Sequence, residues 1–126
     1  MAAMPGQDRT RDYARLALAW IRLINGGLAL LAPGFLARQV GVDPDLNPGI
    51  TYAFRMFGIR TVLIGADLLL QTGEQRARSL RMAVVIHASD TLAALLAALS
   101  RNFPGRARFI VVISAINTAL AVYASR

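Results

Sequence analysis

Cysteine and lysine are both absent from the 126-residue chain. Without cysteine there is no disulfide framework, no thiolate chemistry and no cysteine zinc site. Charge is scarce, with Asp, Glu, Lys and Arg together making up 17% of residues. Disorder needs many charges and few apolar residues, and this composition is the reverse. One histidine and two isolated aspartates within apolar stretches form no metal motif, so neither a metal nor a cofactor is expected. The pair Gly26-Gly27 belongs to no glycine-rich phosphate loop, because no strand precedes it; it permits close helix approach or a local kink.

What is present is apolar. The residues AVILMFWYC make up 56% of the chain, and its mean hydropathy is +0.48. Globular domains run at about 45–50% even with glycine counted. A chain of this length is one domain. A water-soluble one would need a large dispersed polar surface, and here the polar residues are bunched. All 14 basic residues are arginine, set against 7 acidic residues, for a net charge of +7. Such a balance raises nucleic acid as a partner, but the arginines sit at segment ends rather than on one stripe, and no zinc-ligand pattern, RNP box or basic helix accompanies them. Nucleic acid is therefore excluded as a partner. Arginines that flank membrane spans contact anionic headgroups and fix topology, and that is the reading adopted.

Residues 1–13 read as a polar, disordered or interfacial lead-in to a single domain over 14–126. Four apolar segments follow, at about 14–33, 53–71, 80–99 and 108–124. A membrane helix needs about 20 mostly apolar residues. The fold class expected is thus all-α, an antiparallel bundle of four transmembrane helices with short loops. Residues 34–52, which include Gly34, Gly41, Pro44, Pro48 and Gly49, read as helix breakers and turns. Residues 72–79 form a polar, basic loop, and 100–107 a Pro-Gly turn. Arg22 interrupts the first apolar stretch and no small-residue cleavage site follows it, so this segment reads as an uncut span rather than a signal peptide. Arg9, Arg11, Arg15, Arg76, Arg78, Arg81 and Arg126 fall on one side of such a bundle, and Arg38, Arg101, Arg106 and Arg108, with Arg55 near them, on the other. The positive-inside rule then places both termini in the cytoplasm of a bacterial plasma membrane. Tyr13, Tyr52 and Tyr123 read as interfacial belt residues, and the deeper Trp20 as a packing residue.

The informative residues are the ionisable ones inside the spans, namely Arg22, Arg60, Asp67, His87 and Asp90, with Asn25 and Asn117 as uncharged companions. A charge in hydrocarbon costs at least about 2.5–3.5 kcal/mol, so such groups face the bundle interior and find partners. Helical rise places Arg60 and Asp90 at similar depths of about 16 and 15 Å. It places Arg22, His87 and Asp67 at about 12, 10 and 6 Å. The expected pairs are Arg60–Asp90 and Arg22–Asp67, with His87 beside the second. Helical spacing aligns Arg15, Leu18, Arg22, Asn25 and Ala29 on the first span. It does the same for Ala83, His87, Asp90, Ala94 and Ala97 on the third, and for Ser114, Asn117, Thr118 and Ala121 on the fourth. Each span has a small or polar stripe suited to close packing in lipid.

Three stretches carry a resemblance. They are RLALAWIRLINGGLALLAP, with its Arg22-x-x-x-Gly26 spacing and closing proline; FRMFGIRTVLIGADLLL, with Phe57-Gly58-Ile59-Arg60; and HASDTLAALLAAL, with Asp90. The chain resembles a family of small four-span membrane proteins common in actinobacteria and, more loosely, four-span proteins of the DoxX kind. The resemblance covers most of residues 14–124 and implies a fold and a location, with no particular activity attached.

The function expected is that of a small multi-pass membrane protein of structural, accessory or lipophile-binding type. Its candidate polar interior is Arg22, Arg60, Asp67, His87, Asp90 and Asn117. Its candidate partners are the lipid bilayer, a lipophilic small molecule, a second copy of the chain or another membrane protein. One alternative is a membrane-embedded hydrolase or isomerase of an apolar substrate using the Asp, Arg and His groups for acid–base work. It requires a cavity with Asp90 or Asp67 at its floor. The second alternative is a small dimeric transporter, which requires an unpaired carboxylate at mid-depth.

Overall fold

Proline and glycine divide the chain into helices. In the computed structural model, which describes residues 5–100 and 105–126, the elements are α1 (Pro5–Leu31), α2 (Pro33–Gln39), α3 (Pro48–Leu70), α4 (Gly73–Ala98) and α5 (Phe109–Ser125), the last preceded by a 3-10 turn at Gly105–Arg108. The fold is all-α, with no strand among the described residues. Pro33 and Pro48 open α2 and α3, where a fixed φ suits the first turn and the missing N–H leaves nothing unsatisfied. Gly41, at φ 81°, ends α2. Its N–H donates to the Arg38 carbonyl and that of Val42 to the Ala37 carbonyl, the paired bonds of a left-handed helix stop that favours glycine.

Three boundaries differ from expectation. Residues 5–13 are helical and continue α1, so the lead-in is not an irregular one from Pro5 onward. The stretch 34–52 contains α2 and the first turn of α3, because Pro33 and Pro48 act as helix starts instead of breakers. The polar run 73–79 is the beginning of α4, not a loop. The expected turn over 100–107 falls partly on residues 101–104, outside the described residues.

α1 and α3 run antiparallel in backbone contact. A Cβ at Gly58 would lie 2.7 Å from the Gly26 carbonyl oxygen and 2.7 Å from the Leu30 nitrogen. One at Gly26 would lie 2.8 Å from the Val62 nitrogen, and one at Gly65 2.9 Å from the Ala19 carbonyl oxygen. Gly27, one residue on, has open space at that position. α4 packs chiefly on α5, where the Thr91 and Thr118 hydroxyls meet at 3.1 Å. α1 also lies along α5, whereas α3 and α4 touch sparsely. The buried positions recur at helical spacing: Gly58, Thr61, Gly65 and Leu68 on α3, Leu80, Ala83 and His87 on α4, and Asn117, Ala121 and Ala124 on α5.

The interior is built largely from small residues, and many of the largest apolar side chains point outward. Ala19, Ala29, Ala83 and Ala121 are buried, while Leu31, Leu63, Leu96 and Val112 are exposed. Trp20 is 56% exposed, so it is not the packing residue expected of its depth. Tyr13, Tyr52 and Tyr123 are exposed as well. Two helical stretches, Gly6–Leu31 and Gly73–Ala98, are long and apolar enough to cross a membrane. Outside that pair, α3 carries Arg55, Arg60 and Asp67, and α5 has 17 residues.

Candidate functional site

Three helices bring their charged residues to one place. Arg22 on α1 is 3% exposed and His87 on α4 is fully buried. One terminal nitrogen of Arg22, Nη2, donates both to His87 Nδ1 and to Asp90 Oδ2, the latter at 3.3 Å. From α3, Arg60 Nη2 donates to Asp90 Oδ1 at 3.0 Å and Oδ2 at 3.2 Å. The Phe57 ring stands one turn before Arg60, on the same face. Its centre is 5.9 Å from the Arg22 guanidinium carbon and 5.7 Å from that of Arg60, near the outer limit for a cation–π contact.

The protonation pattern follows from donor chemistry. A guanidinium has only N–H groups to offer, so His87 Nδ1 accepts and the ring proton sits on Nε2. The histidine is thereby neutral. The cluster then holds two guanidiniums and one carboxylate, a net single positive charge.

Asp90 pairs with Arg60 as its depth predicts. Arg22 does not pair with Asp67; it joins the same aspartate and His87. Asp67 is exposed and lies in a separate groove of about 330 Å³ between α3 and α4, where Gln71, Gln75, Arg78 and Ser79 share the lining with Ile64, Met82 and Ile86. The error in the expected Arg22–Asp67 pair has a physical source: it assumes one acid per base, whereas a carboxylate has room for two guanidiniums. Asp67 is also about two turns further along α3 than Arg60, which already reaches Asp90.

A cavity of about 420 Å³ opens beside the cluster. Its deep end is formed by Arg22, Asn25, Asp90 and Asn117. Phe54, Phe57 and Ile113 form part of its walls, and Leu36 and Val40 of α2 and Ile50 of α3 lie at the other end. On α5 the lining runs from Phe109 to Asn117, a span of about 12 Å at helical rise. The α2 residues in this wall are the part of the site that sequence reasoning misses, since α2 itself is unexpected. Phe57 is the other, although its spacing three residues before Arg60 is a visible signal. Ala94, of the small and polar stripe of α4, and its neighbour Ala93 border open space here.

Four buried polar atoms lack a hydrogen-bond partner among the described residues: Arg22 Nε, Thr61 Oγ1, His87 Nε2 and Asn117 Oδ1. Leaving such a group unpaired costs about 1–3 kcal/mol, so the interior is underbonded by the protein alone. Arg22 and Asn117 both line the cavity. The arrangement can hold a polar group against a fixed cation while surrounding the rest of a molecule with hydrocarbon and aromatic surface. Comparison with protein-family models, with curated proteins and with solved structures finds no match for the chain.

Proposed function

We propose that the chain is a four-span integral membrane protein that binds a lipophilic small molecule in the cavity between its helices. The observation that carries this reading is the cavity itself: about 420 Å³, walled by Phe54, Phe57 and Ile113, and ending on Arg22, Asp90 and Asn117. Binding sites for small molecules are typically apolar clefts of about 300–1,000 Å³ with a few placed polar groups.

The membrane part of the reading is supported by the direction of the side chains. Ile24, Leu28 and Leu31 of α1, Met56, Ile59 and Leu63 of α3, Val85, Leu92 and Leu96 of α4, and Val112 and Ile116 of α5 all face outward. A helix of a soluble bundle puts its large apolar stripe inside and its polar face outside. Here small residues occupy the contacts, as they do where helices associate in lipid. In this reading α1, α3, α4 and α5 span and α2 caps one end. The arginine distribution favours cytoplasmic termini, as in a bacterial plasma membrane.

The hydrolase or isomerase alternative uses the same cavity, with Asp90 at its floor. It is less favoured because three guanidinium contacts hold Asp90 and because His87 donates or accepts nothing toward the cavity. The transporter alternative needs an unpaired carboxylate at mid-depth, and Asp90 is doubly paired.

The test is native mass spectrometry of protein purified in mild non-ionic detergent, comparing wild type with Ala94→Phe, which fills the cavity. A co-purified lipophile on the wild type that the variant lacks, with helical content and elution volume unchanged, is the expected result. Equal adducts on both proteins would place the bound molecule elsewhere. Recovery of the chain in the soluble fraction without detergent would overturn the membrane reading.

A further inference from the structure

The charge count at the cavity floor bears on what the cavity takes. Building on the lipophile-binding reading, we propose that its occupant is a single-tailed amphiphile with an anionic head, of the carboxylate class. The head seats at Arg22 and Asn117, and the tail runs along Phe57 and Phe54 toward α2.

Four observations lead there. The cluster has two guanidiniums for one carboxylate, and its histidine is held neutral, so one positive charge has no counter-ion among the described residues. Asp67, a carboxylate that would balance it, lies in a different groove. Arg22 is 3% exposed, so water does not readily screen its charge, and its Nε–H has no acceptor. Asn117, 1% exposed, lines the same cavity as Arg22, and the NH2 end of its amide can donate to a carboxylate.

Asp90 also lines the cavity and would repel an anion if it were free. Both of its oxygens, however, accept guanidinium hydrogen bonds, and the pair of arginines outweighs it. A cationic head would face the opposite balance, since Arg22 stands between it and the carboxylate. A neutral head such as an ester would leave the excess charge where it is. The lining on α5 spans about 12 Å, the scale of an alkyl tail of medium length.

The experiment uses the full chain in non-ionic detergent and three probes with the same tail: dodecanoate, methyl dodecanoate and dodecyltrimethylammonium. Native mass spectrometry reads occupancy, and thermal unfolding reads stabilisation. The expected result is that dodecanoate binds at least about tenfold more tightly than the methyl ester, the scale of one well-placed charge contact. The ammonium probe should show no specific binding. Arg22→Gln should abolish that preference. Because Arg22 is buried and its variant can fail to fold, Arg60→Gln is the second variant. Arg60 is half exposed and does not line the cavity, and its loss cancels the excess charge. The preference should then fall to about twofold or less while methyl dodecanoate still binds. Equal binding of acid and ester to the wild type, or preference for the ammonium probe, overturns the head-group inference and leaves the cavity reading standing. Failure of all three probes to bind, with Ala94→Phe indistinguishable from wild type, overturns both.

Discussion

The α1–α3 seam and the seam between α3 and α4 are held together in opposite ways. In the first, backbone lies on backbone, with Gly26, Gly58 and Gly65 leaving no room for a side chain. In the second, the helices touch sparsely and long charged side chains span the gap, Arg60 and, from α1, Arg22 meeting at Asp90. Close packing gives a rigid pair with no cavity. Charge at arm's length leaves space beside it, and the proposed binding site and the Asp67 groove occupy that space. The difference shows how one small bundle can be both a solid scaffold and a container.

Substitutions that break one seam and spare the other test this contrast. The largest effect is expected from Gly58→Leu. Its Cβ alone would sit 2.7 Å from two backbone atoms of α1, which cannot move aside as a side chain tip can. Overpacking typically costs about 1–3 kcal/mol where neighbours can shift. Here they cannot, and the variant should yield no monodisperse folded protein on size-exclusion chromatography. Asp90→Ala comes next. It strands Arg22 in a buried site and should destabilise by about 3 kcal/mol, read from the unfolding midpoint in detergent. A loss under about 1 kcal/mol would mean the arginines find other acceptors, and the charged seam would then be looser than the geometry indicates.

Arg60→Gln should cost less, about 1 kcal/mol, because Asp90 keeps Arg22 and Arg22 keeps its own partners. The smallest effect belongs to Gly27→Ala. Apart from the helix's own backbone, no atom of the described residues lies within 4 Å of the added methyl, and alanine is the better helix former, so a gain of about 0.5–1 kcal/mol is expected. Gly26→Ala, one residue away, should lose stability instead. Two neighbouring glycines with opposite signs in the same thermal assay would locate the α1–α3 seam to a single residue.

Much of the helical architecture is legible in residue spacing. Ala83, His87 and Asp90 fall on one face of α4 by their separations alone, and depth alone pairs Arg60 with Asp90. Helical rise also sets Arg22 between His87 and Asp90, closer to either than to Asp67. What obscures this is the premise that each arginine takes its own aspartate. α2 escapes notice for a different reason. Gly34, Gly41 and Pro44 suggest an irregular loop, and only the backbone bonds at Gly41 show that these residues close a short helix properly. The polar residues 5–13 carry no apolar stripe, so no periodicity marks them as the start of α1. The cavity is the hardest feature to foresee. The small residues of α4 predict tight contact with a neighbour, and Ala93 and Ala94 instead border open space.

The shared aspartate also imposes a timetable on biosynthesis. Asp90 is made 68 residues after Arg22 and 30 after Arg60. At about 5–20 residues per second, the first arginine waits several seconds for its counter-ion. In a bilayer each guanidinium at mid-helix costs about 2.5–3.5 kcal/mol until then. If the helices span a bilayer as proposed, α1 and α3 carry both guanidiniums without that carboxylate until α4 is made and delivers one to both.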